Sequence, residues 1–362
     1  MIRAVSLLSI LLATTAGAEA PKVVTDIAPV QSIVARVMGD LGQPKSLIAA
    51  GVSPHNYSMR PSEAAALQEA DLVVWIGSAL TPQLDSSIDS LGENATVLSL
   101  MEVPEIRLLE YRELSEFGDH GHDEDHHDDH AEDKHGDDHH GEEHHSDEHH
   151  SEDEHAEHEH GEEGHGEDKH AEKGHDDQAG GHDHHDHHGE LDPHIWLDPM
   201  NAALAMQSVA TVLAEKDPEN ATIYLENARA GAAELEALNE DIKARLSGVE
   251  GQSFLVYHDA FHYFESRYGL AASGSIAVGD ASSPGPARLK QVRKILVESG
   301  ATCVFAEPQH PEKLTTVVIE GTDVRSRVID PLGAGLTPGA GLYPALLTQL
   351  ADNIASCLVP ET

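Results

Sequence analysis

The chain has 362 residues, 24% of them charged, with 65 Asp and Glu against 22 Lys and Arg. A formal net charge of -43 argues against nucleic acid and anionic membrane surfaces as partners and makes cations the expected ones. Once a leader and a polar insertion are set aside, about 270 residues remain, enough for two domains with real cores.

The N-terminus opens with Arg3, runs apolar from Ala4 to Ala16 and reaches the small-residue triplet Ala16-Gly17-Ala18. This reads as a secretory signal peptide, residues 1–18, cut before Glu19. The later triplet Ala18-Glu19-Ala20 is less attractive because Pro21 would follow the cut. The apolar run is too short to span a bilayer, and no other run approaches the roughly 20 residues required. No cysteine follows the leader, which disfavours a lipid anchor. The expected product is exported and soluble.

Strand-like apolar runs then alternate with helical patterns. Val23-Val24 leads into a helix around Val30–Met38 that stops at Gly39. Lys45–Ile48 is a second strand, ending in the loop Gly51–Arg60. Ser62 is expected to cap a short helix, Glu63–Glu69. The strands Leu72–Ile76 and Val97–Leu100 follow. This order argues for a mostly parallel sheet with helices on its faces.

Between Asp119 and Glu190 the composition changes completely. These 72 residues hold 23 of the 28 histidines, 29 acidic residues, three lysines and no aromatic residue. The tract carries a net -26 and leaves -17 for the rest. Its only apolar residues are Ala131, Ala156, Ala171 and Ala179. It therefore cannot bury enough surface to offset ordering entropy, and disorder is expected. An acidic spacer has no need of one histidine in three, so the tract reads as metal binding.

Beyond the tract, Asp198-Pro199 resembles a helix start, with Pro at the first helical position and the helix running to about Glu215. The longest helical pattern, Glu219–Ser247, bears an apolar stripe of Leu235, Leu238, Ile242 and Leu246. The alternation then resumes. Phe254–Tyr257 is a strand, Ala260–Tyr268 a helix, Ala287–Ser299 a helix and Thr302–Phe305 a strand. Pro311–Glu320 is helical, Arg325–Ile329 a strand and Leu342–Cys357 the closing helix. Two α/β lobes joined by a helix is the simplest assembly. The expected division is 19–118 with 191–218 as a first lobe, 119–190 as the metal-binding loop, 219–247 as the linking helix and 248–362 as the second lobe. Cys303 and Cys357 are the only cysteines, and an even pair in an exported chain reads as a disulfide. Metal ligation is the rival use, but neither lies in a Cys-x-x-Cys or Cys–His cluster.

Five histidines lie outside the tract: His55, His194, His258, His262 and His310. His55 follows the Lys45–Ile48 strand, His194 precedes a helix, and His258 directly follows Phe254–Tyr257. Asp330 holds the equivalent place after Val328-Ile329. Ligands of parallel α/β sheets gather beyond the carboxyl ends of the strands, so these four residues could meet in a cleft between lobes. His262 and His310 read as surface residues. Asp198 and Asp259 either orient imidazoles or cap helices, and Trp196 and Tyr57 either shield a metal or belong to the core.

Several long motifs carry a resemblance across nearly the whole chain outside the leader and tract. They are Ser53-Pro54-His55-Asn56-Tyr57-Ser58-Met59-Arg60-Pro61-Ser62, Ala70-Asp71-Leu72-Val73-Val74-Trp75-Ile76-Gly77 and Asp192-Pro193-His194-Ile195-Trp196-Leu197-Asp198-Pro199. Tyr257-His258-Asp259-Ala260-Phe261, the run Gly300 to Gln309, and Ile329-Asp330-Pro331-Leu332-Gly333 complete the set. In these the chain resembles the ZnuA-like periplasmic zinc-binding receptors of high-affinity zinc ABC importers. A His-rich insertion ahead of the second histidine is itself a mark of that subgroup.

The resemblance implies two α/β lobes bridged by a rigid helix, with one zinc held between them by His55, His194 and His258. It also implies the Cys303–Cys357 disulfide. Related manganese receptors usually place a carboxylate where His258 stands, and imidazole there favours zinc. Some relatives have Glu immediately before the first histidine. Pro54 stands there in this chain, which leaves Asp330 or water for the fourth position, and Asp330 is the expected ligand. The implied partners are zinc, an inner-membrane ABC permease and a periplasmic zinc accessory protein, with the receptor a monomer. The tract would hold further zinc weakly. A nickel or cobalt receptor of the same fold, a secreted metal buffer and an adhesin are the alternatives. A hydrolytic zinc enzyme would need a placed general base, and no His-Glu-x-x-His motif is present.

Overall fold

The computed structural model describes residues 19–112, 190–277 and 283–359. The expected signal peptide and, apart from Glu190, the His-rich tract lie outside the described residues. Two four-stranded sheets organise the rest, and every strand pairing in both is parallel.

The first sheet has β1 (Val23–Thr25), β2 (Lys45–Ser46), β3 (Leu72–Trp75) and β4 (Thr96–Ser99) in the order β2-β1-β3-β4. Its helices are α1 (Ala28–Met38), α2 (Pro61–Gln68) and α3 (Pro82–Leu91). α2 begins two residues before the expected start. Pro61 occupies its first turn, and the Glu63 carboxylate accepts from the Arg60 backbone N–H at 2.7 Å, so Ser62 is not the cap. α3 is not among the expected helices, although Leu84 and Ile88 are its buried face and Pro82 its start.

The connection back from the tract is tied to the chain entering it. Tyr111 N–H donates to Glu190 O, and Asp192 N–H to Leu109 O. α4 (Pro199–Lys216) starts where the Asp198 side chain accepts from Met200 N–H, as its Asp-Pro start predicts. α5 (Ala221–Arg245) has 25 residues, roughly 37 Å of helix. It packs along α4 and α1. A Cβ on Gly231 would lie 2.6 Å from Met206 Sδ and 3.2 Å from Arg36 Cγ, so a glycine is what lets these helices approach.

The second sheet has β5 (Phe254–Val256), β6 (Gly274–Ser275), β7 (Cys303–Ala306) and β8 (Arg325–Val328), in the order β6-β5-β7-β8. β6, two residues long, left no readable pattern. Strand alternation splits this sheet's core. Phe254, Val256, Cys303 and Phe305 join the large core shared with the rest of the molecule, while Leu255, Tyr257 and Val304 pack in a smaller one. The helices here are α6 (His262–Tyr268), α7 (Pro286–Glu298), α8 (Glu312–Ile319) and α9 (Leu342–Leu358). Cys303 of β7 is joined by a disulfide to Cys357 of α9. α9 also packs on α5 and α1. No described helix is long and apolar enough to cross a membrane.

Candidate metal centre

Both sheets have the order 2-1-3-4, so each reverses direction between its first and third strands. The crevice at such a switch point, past the carboxyl ends, is where open α/β sheets hold ligands. In the second sheet that crevice lies between β5 and β7. His258 stands two residues past β5, and Glu307 immediately follows β7. His55 arrives from the first lobe on a short 3-10 turn, Pro54–Asn56, in the β2–β3 connection. His194 comes from the segment leading into α4, just before another 3-10 turn, Ile195–Leu197.

These three histidines converge. Their ring centroids are separated by 5.4 Å (His55–His194), 6.1 Å (His55–His258) and 5.5 Å (His194–His258). One ligand nitrogen from each lies within 4.8 Å of the other two. Tetrahedral zinc places its donors roughly 3.3 Å apart, within the 4.8 Å limit that these nitrogens meet. His194 and His258 are buried, and His55 is half-buried. Trp196 walls the cavity beside His194, with its indole N–H donating to Pro331 O at 2.8 Å. The cavity is about 10 Å³ to a water-sized body, the space of one ion or one water.

Two carboxylates hold the rings. His194 Nδ1 lies 2.7 Å from Asp192 Oδ1, which also accepts the His194 backbone N–H. His258 Nδ1 lies 2.6 Å from Glu307 Oε1. Both carboxylates are almost wholly inaccessible. A carboxylate on one ring nitrogen fixes the proton there and leaves the other nitrogen as an electron-rich donor, the arrangement of carboxylate–histidine–zinc triads. His194 Nε2 is buried with no hydrogen-bond partner among the described residues. A buried unpaired acceptor is costly, and a metal ion is the partner that would satisfy it.

The other expected residues stand differently. Asp330 is outside this convergence of ligand atoms. Its Oδ1 accepts from Gln309 Nε2 at 2.8 Å and Leu332 N–H at 2.9 Å, and its Oδ2 accepts from Ala334 N–H. Among the described residues Asp198 and Asp259 are engaged by a helix end and by arginines rather than by an imidazole. Asp198 caps α4 and pairs with Arg267, while Asp259 pairs with Arg112. Burial pushes the Asp259 carboxyl up to about 6 against the pull of Arg112. Tyr57 belongs to the core, its hydroxyl donating to Glu63 at 2.6 Å.

His262 and His310 are not the surface residues expected. His310 borders the same cavity and stacks on Tyr257, with centroids 4.2 Å apart. His262 is half-buried, with Nδ1 3.8 Å from Asp192 Oδ2. Burial, aided by Arg112, holds its pKa below the ordinary value. Asp192 and Glu307 both lie within the motifs quoted above, but neither was expected to have a role at the site. The signal for Asp192 was its place two residues before a candidate ligand. Glu307 lies 49 residues from His258 and meets it only through the β5–β7 pairing.

The family model for the periplasmic zinc-uptake complex component A matches residues 23–357. The high-affinity zinc uptake system protein ZnuA of Paracoccus denitrificans is 43% identical over 347 residues, covering 96% of this chain and 94% of its own length. The protein of the same name from Brucella abortus is 41% identical, covering 93% and 91%. A crystal structure of ZnuA superimposes with a TM-score of 0.66 at 22% identity, covering 94% of this chain and all of that one. This likeness establishes the fold as that of two parallel-sheet lobes flanked by helices. The chain belongs to the family of the periplasmic component A of zinc-uptake complexes.

Proposed function

We propose that this protein captures a zinc ion between its lobes through His55, His194 and His258 and delivers it to an inner-membrane ABC permease. The observation that carries the reading is the convergence of three imidazoles, two of them anchored by buried carboxylates. The curated relatives are named for high-affinity zinc uptake, which supports zinc as the cargo. Three imidazoles form a borderline-soft set that suits zinc better than manganese. Asp330 serves as the fourth ligand by exchanging its bonds from Gln309 and Leu332 for the ion. That exchange makes it the weakest of the four. Capture needs no bond-breaking step, and the chain acts as a receptor rather than an enzyme.

The leader, residues 1–18, directs export, and the tract collects further zinc at weak sites. Each such site must order a polar chain before it binds. The receptor works as a monomer, with a periplasmic zinc accessory protein as a further partner.

The test is competitive titration against a zinc chelator, using protein lacking Asp119–Gly189 so that only the interlobe position is read. One tight zinc is expected per chain. His258→Ala should reduce its affinity by more than the roughly 10–100-fold that losing an orienting partner costs. Unchanged affinity in that variant, or no tight zinc after removal of the tract in a protein of native circular dichroism, overturns the interlobe assignment.

A further inference from the structure

The cavity contains a second convergence of metal-ligating atoms. One ligand atom each from His258, Glu307 and His310 lie within 4.8 Å of one another, as those of the three-histidine group also do. His310 reaches this place because α8 is preceded by a turn in which its backbone N–H donates to Glu307 O at 3.2 Å. Its ring is held by the Tyr257 stack and lies 5.3 Å from the His258 ring, closer than the three imidazoles of the first group lie to one another.

A separate observation points to a ligand here. Glu307 is 3% exposed, its Oε1 is engaged with His258, and its Oε2 is buried with no hydrogen-bond partner among the described residues. An unpaired carboxylate oxygen out of water is costly, and a cation would relieve that cost. Two imidazoles and a carboxylate are a donor set that zinc accepts.

Building on the receptor function proposed above, we infer that the cavity offers zinc a second position, made by Glu307, His310 and the shared His258. The two positions exclude each other, because they share a ligand and the cavity has room for one ion. Glu307 thus has two roles. It orients His258 when zinc sits with His55 and His194, and it binds zinc directly when the ion sits with His310. His258 therefore belongs to both positions. The second position is made from one lobe alone, whereas the first also needs His55 and His194 from the expected first lobe. It would therefore persist when the His55 loop withdraws, holding the ion while the lobes part.

Zinc-edge anomalous scattering from crystals of the full chain tests this. The variants are His55→Ala, with His55→Gln as its conservative counterpart, and each combined with His310→Ala. Wild type should show its cavity peak among His55, His194 and His258. Either His55 variant should show the peak moved towards Glu307 and His310, and adding His310→Ala should remove the moved peak. A peak that stays beside His194 in the His55 variants, or a moved peak that survives loss of His310, overturns the second position, as does an empty cavity in both His55 variants. An empty cavity in wild type would instead sink the receptor site itself.

Discussion

The two sheets match each other residue by residue at their carboxyl ends, yet they use the matched positions in opposite ways. Leu47 and Ile48 N–H donate to Thr25 and Asp26 O in the first sheet, as Ile276 and Ala277 N–H donate to Val256 and Tyr257 O in the second. Ser46 and Ser275 hydroxyls each donate to the carbonyl two residues on. In this correspondence His258 falls opposite Ile27 and, through the strand registers, Glu307 falls opposite Ile76. Both isoleucines are fully buried. The first lobe closes its crevice with Asp26, whose carboxylate accepts from Ile27 N–H and Ile76 N–H at 2.8 Å each. The second lobe instead places an imidazole and a carboxylate where the first has two aliphatic side chains. The scaffold supplies the position, and the loop residues supply the chemistry.

The lobes also differ in how they are held, since the disulfide from β7 to α9 belongs to the second alone. Replacing Cys303 and Cys357 together by Ala releases a loop of 54 residues, and in the chain-entropy model costs about 4 kcal/mol. Urea unfolding measures the total, and amide exchange locates it. Protection should fall first in β7, β8 and α9. An equal fall in β1 to β4 would mean that the lobes unfold as one unit, and the comparison would break at its root.

Asp26 gives the first lobe its own test. Burial pushes its carboxyl up from 3.8 to about 6, against the pull of the two N–H donors. The folded state thus holds this proton more firmly than the unfolded chain. The resulting stabilisation is complete below pH 3.8 and is lost as pH rises through about 6. The gap amounts to roughly 3 kcal/mol. In chelator-treated protein the stability of wild type relative to Asp26→Asn should therefore fall between pH 4 and pH 7. Parallel curves for the two proteins would show that folding leaves the Asp26 pKa unshifted and that its role in closing the crevice carries no such penalty.

The orienting carboxylates sharpen the other side. Glu307→Gln and Asp192→Asn keep the shapes but change what the imidazole Nδ1 atoms meet. Each should weaken zinc about 10–100-fold in competitive titration, with the fold unchanged by circular dichroism. If Glu307→Gln binds zinc as wild type does, His258 does not depend on its carboxylate, and the contrast with Ile76 loses its functional meaning.

Much of this was legible in the sequence, because apolar period and strand-end position are local signals. The α/β alternation and the strand-end places of His55 and His258 read directly from short windows, and the cysteine pairing from there being only two cysteines in a chain expected to be exported. What was not legible depends on pairing across distance. Nothing near Glu307 announces His258, and only the β5–β7 register brings them together. Asp330 shows the converse. Its strand-end place is visible, but Asp-Pro-Leu-Gly is also a turn whose N–H groups the Asp330 carboxylate accepts, bonds that its proposed role as fourth ligand has to displace. His310 reads as a surface residue because it flanks a proline at a helix start, and the Tyr257 stack that turns it to the cavity spans 53 residues of sequence.

His262 marks the smallest expected effect and the edge of the site. It begins α6 four residues after His258, and a helix running through both would have put them on one face. His258 instead lies between strand and helix, and His262 turns towards Asp192. At 3.8 Å its Nδ1 is beyond hydrogen-bonding distance of Asp192 Oδ2. Burial holds its pKa below the ordinary value, so the ring is predominantly neutral at pH 7.5 and exerts little pull on that carboxylate. His262→Ala should therefore leave zinc affinity within about threefold of wild type, well short of the roughly 10–100-fold assigned to Asp192. Titration of both variants at pH 7.5 decides the matter. A loss in His262→Ala equal to that in His258→Ala would mean that the ring swings in to ligate. The second lobe would then bring a ligand from its helix as well as from its strand ends, and the matched-position account of the site would fail.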